Sequence, residues 1–204
     1  MKEHRVAAGY NKISALYNLI EWPLERLFFS KWRNKYLRNL EGKVLEIGVG
    51  TGKNFEYYGP KADVTAIDFS DGMLRKAEEE NNRLGGRYRV VKMDAQRLEF
   101  KDNGFDYVIT TFVLCSVPNP IRILKNMRRV VKKNGMVINM EHVLSQNWLI
   151  ASLQRSRNFI MTRCFGSICI NRDTVANIRK AGLKIKREEN IGFMDVFKLI
   201  VSVK

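Results

Sequence analysis

The sequence has few of the residues that bind metals or form disulfides. It contains only three cysteines and two histidines among 204 residues. The cysteine count is odd, and Cys164 and Cys169 have no second cysteine pair nearby, so neither a disulfide framework nor a Cys/His zinc site is favoured. We therefore expect no bound metal.

Long apolar runs are also missing. No uninterrupted apolar stretch reaches the roughly 18 residues that a membrane-spanning helix needs. The opening residues, MKEHRVAAGY, lack the apolar centre of a secretory signal. A chain of 204 residues that is 45% hydrophobic can bury one full core. These features predict a cytoplasmic protein with one main domain.

Acidic residues are scarce relative to basic ones. The sequence has 36 Lys and Arg against 21 Asp and Glu, a net charge of +15. Such a charge favours an anionic partner, for example a phospholipid surface, nucleic acid or an acidic substrate. It is also typical of the solvated surface of a heat-adapted protein. The basic residues are spread over several predicted helices, which disfavours nucleic acid as the partner.

The stretch VLEIGVGTGKN, residues 44–54, combines an apolar run with three alternate glycines. The apolar run predicts a buried strand, and Gly48, Gly50 and Gly52 predict a sharp turn that opens a helix. Glycine permits positive φ and lets the backbone approach a ligand, and a helix start presents unpaired N–H groups. A dinucleotide fingerprint would need glycine where Lys53 stands.

Acidic residues follow the next two predicted strands. Asp68 ends the first of them, about 20 residues past Gly48, where such folds place a carboxylate on ribose hydroxyls. Asp94 follows the strand predicted over residues 87–92. A carboxylate there could accept a hydrogen bond from an adenine amine, or it could cap the turn that follows.

These stretches together resemble the class I S-adenosylmethionine-dependent methyltransferases, near the quinone C-methyltransferases, the bacterial phosphatidylethanolamine N-methyltransferases and the thiol methyltransferases. The resemblance runs over residues 10–204. It implies an α/β fold with a doubly wound, Rossmann-like sheet of seven strands, mostly parallel with an antiparallel C-terminal hairpin, and helices on both faces. It is carried by residues 46–52 (EIGVGTG), 66–74 (AIDFSDGML), 93–95 (MDA), 105–108 (FDYV), 113–118 (VLCSVP) and 134–135 (NG).

The resemblance implies S-adenosyl-L-methionine as the cofactor. It assigns Glu46 to the glycine loop or the amino-acid end of the cofactor, Asp68 to the ribose and Asp94 to the adenine. The cofactor-binding residues that we expect are Tyr10, Glu46, Gly48, Gly50, Gly52, Asn54, Asp68, Phe69, Met73, Asp94, Ala95 and Thr111.

The resemblance also implies a domain plan. Residues 1–42 would form a helical lid, residues 43–204 the methyltransferase domain, and residues 145–170 an irregular insertion that walls the acceptor pocket. That insertion is rich in bulky apolar residues and arginines, which suit an amphiphilic acceptor such as a phospholipid, although ordinary packing gives the same composition. A helix predicted to begin at Pro23 carries an apolar face and a basic face that includes Arg33. It fits either contact with an anionic membrane or packing on the sheet.

Methyl transfer from a sulfonium is an in-line displacement that depends mainly on positioning. A base is needed only for a protonated acceptor, and His142 and then Tyr17 are the candidates. Cys115 is expected to be a core residue. The chain lacks the Asn/Asp-Pro-Pro-Tyr/Phe motif of some methyltransferases that act on nucleobases. A small-molecule or lipid acceptor is therefore favoured over RNA or protein, and the acceptor atom stays open among N, S, C and O.

Overall fold

The computed structural model of the protein describes residues 29–165, 172–191 and 195–204. Tyr10, Tyr17 and Pro23 lie outside these ranges, so the predictions made for them remain predictions. The described chain forms a sheet in the order β3-β2-β1-β4-β5-β7-β6. Its strands are β1 (Gly42–Ile47), β2 (Ala62–Asp68), β3 (Arg89–Lys92), β4 (Phe105–Thr111), β5 (Val131–His142), β6 (Lys184–Asn190) and β7 (Phe197–Val203).

Strands β1 to β5 pair in parallel, and β7 runs antiparallel to both β5 and β6. This arrangement confirms the predicted fold class, including the antiparallel hairpin at the C-terminal end. The helices are α1 (Ser30–Leu37), α2 (Asp71–Arg83), α3 (Pro120–Val130), α4 (Trp148–Phe165) and α5 (Thr174–Lys180), and short 3-10 helices cover Phe55–Tyr57 and Ala95–Arg97.

Helices pack on both faces of the sheet because the side chains of each strand alternate between the faces. Val44 of β1 joins the apolar cluster on one face, which also contains Leu37 of α1 and Ala77 of α2. The next residue, Leu45, joins the cluster on the other face together with Met127 of α3. Fully buried apolar side chains form the centre of each cluster.

Local sequence signals set several helix boundaries. The Ser70 hydroxyl accepts a 3.2 Å hydrogen bond from the backbone N–H of Met73, which caps α2. Asn119 caps α3 in the same way by accepting from the N–H of Arg122 at 3.0 Å. Because Pro120 has no N–H, it suits the first helical position after that cap.

Helix α3 ends earlier than its sequence pattern predicts. Apolar and basic residues continue at helical spacing as far as Lys133, and Asn134 and Gly135 are typical of a helix end, but α3 ends at Val130 and β5 begins at Val131. Val131 is fully buried and pairs with Phe105 of β4. Lys132 Nζ lies 2.7 Å from Asp106 Oδ1, which ties this first part of β5 to β4. Tertiary pairing therefore overrides the helical pattern of the sequence.

Two expectations about surface helices also change. Arg33 was placed on the outer, basic face of its helix, but it is 3% exposed, and the neighbouring Leu37 and Leu40 are buried in the core. The described part of this helix therefore packs its apolar face on the protein. Residues 145–170 were predicted to be irregular, whereas α4 occupies most of that segment.

Candidate functional site

A cleft opens at the carboxyl ends of β1, β2 and β4, the edge at which open α/β sheets bind ligands. It encloses about 1110 Å³ of empty space, counting its open mouth. Ten of the twelve residues predicted to bind a cofactor line it. These ten are Glu46, Gly48, Gly50, Asn54, Asp68, Phe69, Met73, Asp94, Ala95 and Thr111.

The glycine turn between β1 and the first 3-10 helix forms one wall of the cleft. Gly48, Gly50 and Gly52 have φ of +71°, +57° and +83°, a region that L side chains rarely adopt. A Cβ added at Gly48 would lie 2.5 Å from the Val113 side chain, whereas one at Gly50 would meet open space among the described residues.

Gly52 does not line the cleft. A Cβ there would lie 2.9 Å from the Phe55 ring and 3.3 Å from the Ala77 backbone, so this glycine lets the turn pack against α2. The structure thus shows a part for Gly52 in shaping the turn, and its contact with a ligand stays a prediction.

Asp68 connects the end of β2 to the glycine turn. Its two carboxylate oxygens accept hydrogen bonds of 2.9 Å from the N–H groups of Gly50 and Ser70. Burial raises the pKa of Asp68, and these hydrogen bonds act in the opposite direction. The carboxylate thus fixes the turn and also lines the cleft.

Glu46 lies at the buried end of the cleft within a network of side chains. It accepts hydrogen bonds from Asn54 Nδ2 at 2.7 Å and from the Tyr58 hydroxyl at 2.9 Å. Burial raises the pKa of Glu46 to about 7, although both hydrogen bonds and the nearby Arg33 charge lower it. Asn54 also donates to Thr111 Oγ1 at 3.1 Å, which joins the network to the end of β4.

Arg33 is a cleft residue that the sequence analysis missed. Its guanidinium donates to the Asn54 side-chain oxygen, and the residue lines the cleft although it belongs to α1. A signal was available in the sequence. Arg33 stands four residues before Leu37, which was assigned to the apolar side, and residues four apart share a helix face.

The sequence left two roles open for Asp94, and the structure shows one of them. Its Oδ1 accepts a 2.8 Å hydrogen bond from the Gln96 N–H, which caps the second 3-10 helix. The same residue lines the cleft together with Ala95. The capping role is therefore present, and contact with a ligand stays a prediction.

The loop after β4 forms the opposite wall, and a second missed residue holds it. Glu141, fully buried near the end of β5, accepts hydrogen bonds of 3.1 Å from the N–H groups of Val113 and Leu114. Phe112, which lines the cleft, has φ of +58°, a strained conformation for a side chain that is not glycine. Glu141 directly precedes His142, but in the sequence only His142 was identified as a candidate functional residue.

His142 is not among the residues that line the cleft. Its ring centroid lies 4.9 Å from that of Phe112 and 4.7 Å from that of Phe197, in an aromatic group beside the cleft wall. Cys115 is buried as expected of a core residue, and burial raises the pKa of its thiol to about 12. A thiol with that pKa is a poor nucleophile.

Within the described ranges, no helix combines the length and apolar character needed to cross a bilayer. A search of the same residues for three or more His, Cys, Asp or Glu side chains grouped around a metal position also found none.

Comparison with known proteins identifies the class. Residues 45–139 match the family described as "Methyltransferase domain". The chain is similar in fold to an S-adenosylmethionine-dependent methyltransferase from Thermotoga maritima, with a TM-score of 0.72, 20% identity and coverage of 97% of this chain and 99% of that one. It is also similar to the cyclase SpnF, with a TM-score of 0.71, 16% identity and coverage of 86% and 79%. Identities this low show the fold alone.

Curated relatives are more similar in sequence. The chain is 37% identical over 117 residues to phosphatidylethanolamine N-methyltransferase of Cereibacter sphaeroides, covering 56% of this chain and 58% of the relative. It is 35% identical over 149 residues to demethylmenaquinone methyltransferase of Geobacillus kaustophilus, with coverage of 69% and 64%. For a thiol S-methyltransferase of Rattus norvegicus the identity is 34% over 122 residues, with coverage of 58% and 50%.

The fold and the site therefore define an α/β domain of the methyltransferase type. Residues 45–139 match the methyltransferase domain family, and the chain is similar in sequence to these three methyltransferases. These matches confirm the resemblance to class I S-adenosylmethionine-dependent methyltransferases seen in the sequence, and they imply S-adenosylmethionine as the cofactor. The matches span between half and just under two thirds of the relatives' own lengths.

Proposed function

We propose that this protein transfers a methyl group from S-adenosylmethionine to a small-molecule or lipid-like acceptor. The observation that carries the proposal is the cleft at the carboxyl edge of the sheet, which brings together a glycine turn and three strand-end carboxylates, Glu46, Asp68 and Asp94. The cofactor offers complementary groups, namely an ammonium, ribose hydroxyls and an adenine amine. Asp68 is the proposed partner of the ribose and Asp94 that of the adenine.

The residues of the cleft fit this cofactor. Gly50 faces open space with a positive φ, so the backbone there can approach a ligand closely. Phe69 and Met73 add apolar contact area beside Asp68 for the flat base. Because each strand-end acid already accepts a backbone or side-chain hydrogen bond, its orientation is set before a ligand arrives.

Arg33 and Glu46 would bind the amino-acid end of the cofactor. A zwitterion needs a cation for its carboxylate and an anion for its ammonium, and charge-assisted hydrogen bonds are the stronger kind. Asn54 joins the two side chains through its oxygen and nitrogen. This arrangement supports a site in which the charges are held at one end of the cleft before binding.

The cofactor supplies a methyl group that is already activated on a sulfonium. The protein then has to hold the acceptor in line with it, and such orientation contributes about 7–11 kcal/mol. The wall formed by Thr111 and Phe112, whose loop Glu141 holds, limits where an acceptor can lie. For an acceptor that arrives protonated, His142 is the first candidate base and Tyr17 the second.

The acceptor class rests on the cleft wall and on the relatives. The loop after β4 presents apolar residues to the cleft, Phe112, Val113, Val117 and Pro118. The names of the curated relatives specify a phospholipid, a quinone precursor and thiols as acceptors of those proteins. An acceptor with an apolar portion fits both observations better than a polynucleotide does.

Calorimetry with S-adenosylhomocysteine tests the cofactor site. We expect Asp68→Ala to weaken binding at least about tenfold, because about 1.4 kcal/mol corresponds to that factor and a charge-assisted hydrogen bond contributes at least as much. Asp63→Ala, an exposed acid on the same strand, is the matched control. Equal affinities for the wild type and Asp68→Ala would remove Asp68 from the site.

Transfer of a labelled methyl group tests the acceptor class. The purified chain is assayed with phosphatidylethanolamine in micelles, a demethylated quinone and a small thiol, beside RNA and a basic protein. Product from one of the first three supports the proposal. Product from RNA alone, with binding that weakens steeply between about 50 and 200 mM salt, would overturn it in favour of a nucleic-acid methyltransferase.

A further inference from the structure

We propose that an exposed apolar face of α4 docks the protein on an anionic phospholipid bilayer. This α4 face consists of Trp148, Leu149 and Leu153. Their side chains are 74%, 55% and 71% exposed, and among the side chains that the structure describes, Met136 is the one other large apolar residue that is exposed. The proposal does not rest on the methyltransferase activity, because it needs neither the cofactor nor an acceptor.

The orientation of α4 is fixed by its opposite side. Ala151 and Gln154 are buried. The Gln154 side chain accepts a 2.8 Å hydrogen bond from the Ser145 N–H and donates one of 2.9 Å to the Val143 carbonyl. These contacts attach the helix to the segment that follows β5. The apolar face therefore points outward because the other side of the helix is the anchored one.

A group of large, exposed apolar side chains is unusual on a protein surface that contacts no partner. Exposed apolar groups that cluster on one side mark sites of interaction with proteins or membranes. Ser152 lies between Leu149 and Leu153 on the same side of the helix, Ser156 follows one turn later, and both are exposed. Tryptophan beside leucine on one helix face is typical of a helix that lies in the plane of a membrane interface, where the indole has both apolar and polar neighbours.

The charge near the α4 face indicates what kind of partner binds there. Residues 142–172 contain four arginines and neither Asp nor Glu, although the whole chain has 21 acidic residues. Arg155 is exposed and follows Trp148 by seven residues, which is about two helical turns. The segment has no acid of its own, although Asp195 accepts hydrogen bonds from Ser145 and Gln146 just before α4. With a net charge of +15 for the whole chain, this composition favours contact with anionic lipid head groups. A neutral protein partner would not require this composition.

Helix α4 lies at the edge of the sheet at which the cleft opens. Helix α4 begins six residues after β5 ends at His142, at the same edge of the sheet as the cleft. Contact through α4 would bring that edge of the sheet to the bilayer. The earlier candidate for membrane contact, the basic helix that includes α1, has its described apolar residues Leu37 and Leu40 in the core instead.

Sedimentation of the full chain with vesicles tests the proposal. We expect binding to equimolar phosphatidylglycerol and phosphatidylcholine, with at least about tenfold weaker binding to pure phosphatidylcholine. Trp148→Ser should weaken binding to the anionic vesicles at least about threefold, and Leu149→Ser with Leu153→Ser at least about tenfold, because apolar area is lost from the interface. Met136→Ser, at an exposed position in the middle of β5, is the matched control and should bind like the wild type.

Three results would overturn the proposal. They are equal binding of the wild type and the serine variants, equal binding to neutral and anionic vesicles, and a wild-type dimer that Trp148→Ser converts to a monomer, since that would assign the face to a second copy of the chain. Arg155→Gln provides a second, independent variant that leaves the apolar face intact. It should weaken binding to the anionic vesicles only, and no effect of this change would contradict the electrostatic part of the proposal. Far-ultraviolet circular dichroism establishes that each variant is folded.

Discussion

The side-chain nitrogen of Asn54 donates a 2.7 Å hydrogen bond to Glu46 Oε1 at the buried end of the cleft. The oxygen of the same amide accepts from the guanidinium of Arg33. One asparagine thus holds an anion from β1 and a cation from α1 in a fixed relation. Since one of these two side chains comes from α1 and the other from β1, binding at this end of the cleft depends on α1 as well as on the sheet.

Arg33→Met should weaken binding of S-adenosylhomocysteine about tenfold to a hundredfold, as expected for the loss of a charge-assisted hydrogen bond. Binding of 5′-methylthioadenosine, which has the same nucleoside but no amino-acid group, should change much less. Calorimetry with both ligands measures the difference. Lys31→Met, exposed on the same helix, is the control. An equal loss for both ligands would mean that Arg33 supports the fold of the cleft and does not contact the carboxylate.

Gly48→Ala and Gly50→Ala should have different effects although both glycines have positive φ. Each substitution costs about 1–2 kcal/mol in the free energy of unfolding, because an L side chain is strained in that conformation. Gly48→Ala adds a clash with Val113, so its loss of stability should be larger. Gly50→Ala adds a methyl group toward the cleft, so its main effect should be on cofactor affinity. Thermal melting and calorimetry on both variants separate the two effects.

Cys115 should not react with iodoacetamide in the native protein near pH 8. The thiol is buried and its pKa is raised to about 12, so almost no thiolate is present. Peptide mapping by mass spectrometry reads this residue separately from the other cysteines, and the reaction in denaturant is the control. Labelling of Cys115 in the native state at a rate similar to that in denaturant would contradict this packing.

The sequence predicted the fold and most of the cleft because the signals for both are local. An apolar strand, a glycine turn and an acid at each strand end identify the binding edge with little help from tertiary contacts. Asp68 and Asp94 were found in this way, and both line the cleft. The hairpin of β6 and β7 was expected from the family resemblance, and its strands pair as that resemblance implied.

The errors lie where distant contacts decide the outcome. Arg33 was assigned to the solvent because most of its basic neighbours face outward, and only the packing of α1 brings it to Asn54. The end of α3 was misplaced because pairing of Val131 with Phe105 competes with helix propensity. Glu141 was overlooked because its partners, the N–H groups of Val113 and Leu114, come from a loop almost thirty residues earlier.

Glu141 makes the stability of the protein depend on pH, and the direction follows from its pKa. Burial raises that pKa from 4.5 to about 7, although the hydrogen bonds from the loop lower it. Between about pH 4.5 and pH 7, Glu141 is therefore protonated in the folded state and ionised in the unfolded state. Stability from this group is present at low pH and is lost as the pH rises from about 4.5 to about 7. Glu46, with a pKa also raised to about 7, adds a loss in the same window.

Glu141→Gln should therefore flatten the fall in stability between about pH 5 and pH 8, by an amount on the order of 1–3 kcal/mol. The glutamine oxygen can still accept from the loop N–H groups, so the variant should be at least as stable as the wild type at the higher pH. Urea unfolding at the two pH values measures the change, and Glu99→Gln, an exposed acid, should leave the slope as it is. A Glu141→Gln variant that keeps the full wild-type dependence on pH would show that Glu141 does not titrate in this window, and the pH-dependent loss would then belong to other buried acids, Glu46 and Asp68.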